Sequence, residues 1–177
     1  MPLQNRVDPF GAIQAVSVRG TFTGNRSIIH DPATKRLLRR RWTTKAWIIC
    51  TCEFRGRRRN VMGSGPNGNG SWTELFFLEE VTALAAGHRP CFYCRRSEAV
   101  NFVRKFAEMA ETGAQRAGDL DRQLLAERLA TGNRAPAIGY DELCTRPDGV
   151  MVAIDGSAYA KRRNCLLLWT YSGYGKA

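Results

Sequence analysis

Long apolar runs are missing from this chain, and none approaches the roughly 20 residues that a bilayer-spanning helix needs, which excludes a helical membrane protein. Histidine is scarce, with two residues, and lysine supplies only five of the 27 basic side chains. No H-N-H or paired-carboxylate signature is present, no glycine fingerprint of a nucleotide-binding loop, and no internal repeat. The opening Met1-Pro2-Leu3-Gln4-Asn5-Arg6-Val7-Asp8 has no charged-then-apolar leader pattern. These absences lead to the expectation of a cytoplasmic, soluble protein without a membrane partner. Its six cysteines are then expected to be thiols or metal ligands instead of disulfides. The 177 residues are 44% hydrophobic, enough for a real core and too many for wholesale disorder.

Arginine is what the chain has in abundance. The 22 arginines and five lysines face 16 acids, for a net charge of +11. Residues 1–105 hold 18 basic and 7 acidic side chains, whereas residues 106–177 are neutral with nine of each. Ten basic residues against Glu53 crowd into 35–59, with Arg39-Arg40-Arg41 at one end and Arg55-Gly56-Arg57-Arg58-Arg59 at the other. A guanidinium fork binds phosphate bidentately and stacks on bases, where lysine acts as a point charge. Two arginine clusters around one strand pattern point to a polyanion-binding face. Arg89, Arg95 and Arg96 extend the candidate surface, and Trp42, Trp47 and Trp72 sit among these charges as candidates for base stacking.

Periodicity and turn signals predict an α+β fold. Residues 12–62 read as antiparallel β structure: a strand over Ala15–Phe22 closed by a Gly24-Asn25 turn, and a strand over Trp47–Phe54. In the latter Ile48, Cys50, Cys52 and Phe54 share an apolar face. Residues 63–71 form a glycine-rich loop. A short strand Leu75-Phe76-Phe77 follows, then a helix from Glu79 to Ala86 stopped by Gly87. Ser97 is expected to cap a helix running to Thr112, with Ala99, Val103, Phe106 and Ala110 on its core face. A third helix spans Asp119–Ala130 and pairs Leu125 with Leu129. Beyond it a β-hairpin region is expected, with Val150–Ile154 and Ser157–Lys161 around Asp155-Gly156, a strand over Cys165–Trp169 and a coil over Tyr171–Gly175. The chain divides as 1–112 and 113–177, packed as one unit.

Gly87-His88-Arg89-Pro90-Cys91-Phe92-Tyr93-Cys94-Arg95-Arg96 carries the most chemistry. Two thiols three positions apart can curl round one ion, and a helix beginning just after them turns its positive end toward the thiolates. Residues 74–94, an aromatic strand, an alanine-rich helix and then Gly-His-Arg-Pro-Cys-x-x-Cys, resemble the end of the Ada-type metal-binding domain. This small zinc module belongs to the bacterial alkylphosphotriester repair protein. Residues 24–34 resemble the Gly-Asn-x-x-Ser…His start of related modules, with Thr34 where they place a thiol. The resemblance implies zinc held by Cys91 and Cys94. Further ligands are sought at Cys50 and His30, with Cys52 and His88 as alternatives; His88 stands at the family's aromatic position, so packing is its simpler role. Cys144 and Cys165 are expected to be structural.

Three functions compete at this level. One is a nucleic-acid-binding module, for DNA more than RNA, in which structural zinc braces a surface of Arg39, Arg40, Arg41, Arg55, Arg57, Arg58, Arg59, Arg95 and Arg96. A second is a DNA-acting enzyme, either a nuclease or, as the resemblance implies, a zinc-thiolate alkyl acceptor with Cys50 the only reasonable nucleophile. The third is a subunit of a nucleoprotein or repair complex that docks a protein partner through the neutral region 106–177.

Overall fold

The computed structural model describes residues 1–56, 61–64, 71–110, 116–132 and 135–176. It has the α+β class expected, built from two sheets and four helices. The first sheet has six strands in the order β2-β1-β5-β3-β4-β6. These are β1 (Arg6–Val7), β2 (Ile13–Gln14), β3 (Phe22–Asn25), β4 (Ile48–Thr51), β5 (Leu75–Phe77) and β6 (Arg89–Pro90). It is mixed and not wholly antiparallel, because β1 runs parallel to β5 and β6 parallel to β4. Gly24 lies within β3, where a turn was expected. A Cβ there would meet the Ile48 carbonyl oxygen at 2.1 Å, so the close approach of β3 to β4 requires glycine.

Val7, Ile13, Ile29, Ile49, Leu75, Phe77, Ala83 and Ala86 form the core of this half, with Phe22 and Leu37 packed against it. Burial along β4 departs from simple alternation: Ile49 and Cys50 are both buried while Cys52 is exposed. The strand has neighbours on both edges and cover on both faces, so hydropathy period no longer marks one side. Helix α1 (Glu80–Ala85) is capped by the Glu79 carboxylate, which accepts from the backbone N–H groups of Val81 and Thr82. The helix stops at Gly87, whose φ of 79° suits glycine.

Helix α2 (Arg96–Met109) packs against β6 and buries Ala99 and Ala107. Its N-cap is Arg95 and not Ser97, whose hydroxyl turns to Glu98. Helix α3 (Ala117–Ala130) buries Leu120 and Leu125, while Leu129 is exposed and does not join them. A bidentate pair, Arg89 Nε and Nη2 to Asp121 Oδ1 and Oδ2 at 2.7 Å each, ties β6 to α3.

A short helix α4 (Tyr140–Thr145), absent from the sequence reading, leads into the second sheet. Here β7 (Met151–Ile154), β8 (Ser157–Arg162), β9 (Cys165–Thr170) and β10 (Gly173–Lys176) form an antiparallel meander. The β7–β8 turn is Asp155-Gly156, with φ of 48° and 77° as a type I′ turn demands. The expected coil over Tyr171–Gly175 is instead a tight turn into β10, paired Gly173↔Thr170 through Lys176↔Leu167. Two polar contacts join this sheet to α1: Trp169 Nε1–H donates to Thr82 Oγ1 at 2.8 Å, and Tyr174 Oη–H to Glu79 Oε1 at 2.7 Å. Among the described residues no helix is long and apolar enough to cross a membrane.

Candidate metal centre

Strand register assembles the site. In the parallel pair, Ile48 lies opposite Arg89 and Ile49 opposite Pro90. The next rung, Cys91 N–H to the Ile49 carbonyl at 2.9 Å, brings Cys91 level with the Cys50 end of β4. The chain then turns, with Arg95 N–H donating to the Cys91 carbonyl at 2.9 Å, and starts α2 at Arg96. The turn carries Cys94 back to the same place. The Sγ atoms of Cys50, Cys91 and Cys94 lie within 4.8 Å of one another. All six cysteines are free thiols, so the proximity is not a disulfide.

These residues fit a soft divalent ion. Tetrahedral zinc with Zn–S bonds of about 2.3 Å places its sulfurs about 3.8 Å apart, inside the 4.8 Å limit within which these three lie. The Tyr93 N–H points to Cys91 Sγ at 3.4 Å, the kind of donor that steadies a thiolate. The Cys91 thiol is pulled down to about 5, chiefly because the Cys50 thiol donates to it, with help from the backbone N–H groups of Cys94 and Tyr93. Cys50 is pushed up by the same contact and by burial. A bound cation would draw the remaining protons off.

His30, expected as a further ligand, stands outside the trio. Its ring is buried and its Nδ1 shares a 2.7 Å hydrogen bond with Thr73 Oγ1, which also accepts from Ile29 N–H. Cys52 is exposed, its thiol pointing to the Thr21 carbonyl at 3.4 Å. His88 takes the packing role: it lies between the Trp47 and Phe77 rings, at 5.3 and 4.7 Å. Every cysteine and histidine of the chain is among the described residues, so no fourth thiol or imidazole completes the set in this arrangement. Cys144 and Cys165, expected to be structural, are both exposed.

The arginines divide. Arg39, Arg40, Arg41, Arg55 and Arg96 are exposed. Arg55 lies over the Phe54 ring and near Tyr93 of the thiol turn, at 5.1 and 5.8 Å. Arg95 does not belong to the surface: it is 5% exposed and paired with Glu80 at 2.7 Å. Arg89 is likewise consumed by Asp121. Each is drawn inward by an acid from another element, Glu80 of α1 for Arg95 and Asp121 of α3 for Arg89, something a run of basic letters does not disclose. Arg57, Arg58 and Arg59 lie outside the described residues, as does the middle of the glycine-rich loop, 65–70. Trp42 and Trp72 are exposed, whereas Trp47 is 3% exposed and cannot stack on a base.

Sequence reasoning missed a cluster built on Trp47. The Arg26 and Arg128 guanidiniums lie over its ring at 4.0 and 4.2 Å. Arg26 is 2% exposed, donates through Nε to His88 Nε2 at 3.2 Å and through Nη1 to the Gly11 carbonyl at 3.1 Å. Burial and the Arg128 charge lower its pKa to about 9. The same burial and the same two cations hold His88 well below its usual value, hence neutral. The only hint in the sequence was a lone arginine among apolar and small residues. No family model matches this chain, and comparisons with curated proteins and with solved structures give no significant match.

Proposed function

We propose that this protein binds nucleic acid, DNA in preference to RNA, and that zinc at Cys50, Cys91 and Cys94 holds the binding region together. The observation that carries the reading is the three-thiol cluster joining β4 to the turn before α2, with the exposed Arg55 and Arg96 beside that turn. Zinc there would supply cross-linking energy between two segments 41 positions apart in the chain. Arg39, Arg40 and Arg41 would then grip phosphates from the β3–β4 connection, and Arg55 and Arg96 from either side of the thiol turn. The preference for DNA, and a place in DNA repair or processing, rest on the likeness of residues 74–94 to the Ada-type module.

A second reading, a thiolate that accepts an alkyl group from DNA, draws on the incomplete ligand set, since catalytic zinc sites keep an open position. Burial argues against Cys50 as that nucleophile. It is 2% exposed, and Cys91 is 8% exposed, so neither presents sulfur to a bulky phosphotriester.

Elemental analysis and salt-dependent anisotropy with a labelled duplex test the proposal together. One zinc per chain is expected, lost in Cys94→Ala. If all five exposed arginines contact phosphate, log K falls with log salt at a slope of about −4 to −5. Replacing Arg39, Arg40 and Arg41 by Ala is expected to flatten the slope by about 3, for every sequence alike. Metal-free protein with unchanged melting, or binding indifferent to salt, sinks the reading.

A further inference from the structure

Arg26, Arg41, Arg128, Trp42 and Trp47 line a cavity of about 480 Å³ between the β1–β2 region and α3. The size is that of a small-ligand site. Its electrostatics are one-sided. Three arginines and no acid line it, and neither Arg26 nor Arg128 makes an ion pair among the described residues. Three buried guanidinium nitrogens, Arg26 Nη2 and Arg128 Nε and Nη1, have no hydrogen-bond partner among the described residues. A buried polar group without a partner is costly, and more so when charged, so a protein that keeps three of them at one cavity has a use for them.

We infer that this cavity is a phosphomonoester site: Arg26 and Arg128 receive the phosphate dianion, and the half-exposed face of Trp42 receives the base of the nucleotide that carries it. A phosphomonoester offers three terminal oxygens and two charges to three unpaired donors on two cations. A carboxylate brings a single charge, which leaves one of the two cations uncompensated. The anion also relieves the repulsion between Arg26 and Arg128, which now lie against the same indole. Trp42 is 38% exposed at the rim next to Arg41, so a ring attached to the phosphate has an aromatic surface to stack on. Free mononucleotide and the 5′ end of a strand present the same chemistry. The inference rests on the nucleic-acid reading only for the strand-end source.

Calorimetry with AMP, adenosine and inorganic phosphate tests the cavity, and 5′-phosphorylated against 5′-hydroxyl oligonucleotide tests the source. AMP is expected to bind and adenosine not. Arg128→Gln is expected to weaken AMP about tenfold. Arg41→Ala, at an exposed position, is expected to weaken it less without disturbing the fold, and Trp42→Ala to erase the advantage of AMP over phosphate. A 5′-phosphate preference of about tenfold that vanishes in Arg128→Gln assigns the strand end; AMP binding without that preference assigns the free nucleotide. Equal titrations for AMP and adenosine, or Arg128→Gln and Arg41→Ala both matching wild type, overturn the site. AMP binding with no oligonucleotide binding leaves the cavity standing and removes the nucleic-acid function; the reverse removes the cavity alone.

Discussion

The two sheets are opposites in construction. The meander β7–β10 is regular, its strands reaching six residues with every turn tight, yet among its described side chains only Ala158 and Ala160 are buried. The six-stranded sheet is irregular, with three strands of two residues each, yet it surrounds the main core and its neighbours lock buried arginines into place. Regular hydrogen bonding therefore does not mark where this molecule is held most firmly. The sheet with the poorer ladder owns the core, the thiol trio and the arginine cavity, and side-chain interlocking stands in for strand length.

The largest test of that contrast is Asp121→Asn. It leaves the buried Arg89 charge without its counter-ion and is expected to lower stability by about 3–5 kcal/mol in urea titration. Ile49→Ala, in the centre of the irregular sheet, is expected to cost about 2–5 kcal/mol, whereas Ile154→Ala, 42% exposed on the regular one, stays within about 0.5 kcal/mol. Equal losses at Ile49 and Ile154 would erase the distinction between the sheets. Next in size is a pH effect. Burial, Arg26 and Arg128 keep His88 neutral in the fold, while the unfolded chain protonates it below about pH 6.5. The unfolded state then binds the extra proton, so stability falls on acidification; from pH 6.5 to 5.5 this group accounts for a loss of about 1 kcal/mol. Urea midpoints of His88→Gln against wild type across that interval isolate it, and parallel curves would mean His88 titrates normally. The smallest change is Trp169→Phe, which removes the donor to Thr82 between the sheets and is expected to cost about 1 kcal/mol, read as a Tm shift.

Much of this was legible beforehand where local chemistry decides the outcome. Pro90-Cys91-x-x-Cys94 announced a thiol turn, Leu75–Phe77 a strand, Gly87 a helix stop and Asp155-Gly156 a hairpin. Cys50 is legible as a third sulfur too, because a strand can present it to a distant partner. What escaped notice depended on pairing across the chain. His30 has the right letter for a ligand but lies in the grip of Thr73. Arg89 and Arg95 look like surface charge until Asp121 and Glu80 arrive from other elements. Tyr171–Gly175 reads as coil from its glycines, and becomes a strand only because β9 offers an edge. Arg26 was invisible for the same reason, since its environment is contributed by Gly11, Trp47, His88 and Arg128, four separate places in the sequence.

The rung between Cys91 and Ile49 has a consequence for biogenesis. A polypeptide emerging from the ribosome exposes Cys50 long before Cys91 and Cys94 exist, and one sulfur alone makes a poor chelator. If the trio holds a metal, capture by all three sulfurs would be a late step, open only to molecules in which two distant stretches have already zipped side by side. Chains arrested short of that point would lack the three-sulfur site, so a metal held by all three would report that β4 and the thiol turn had met.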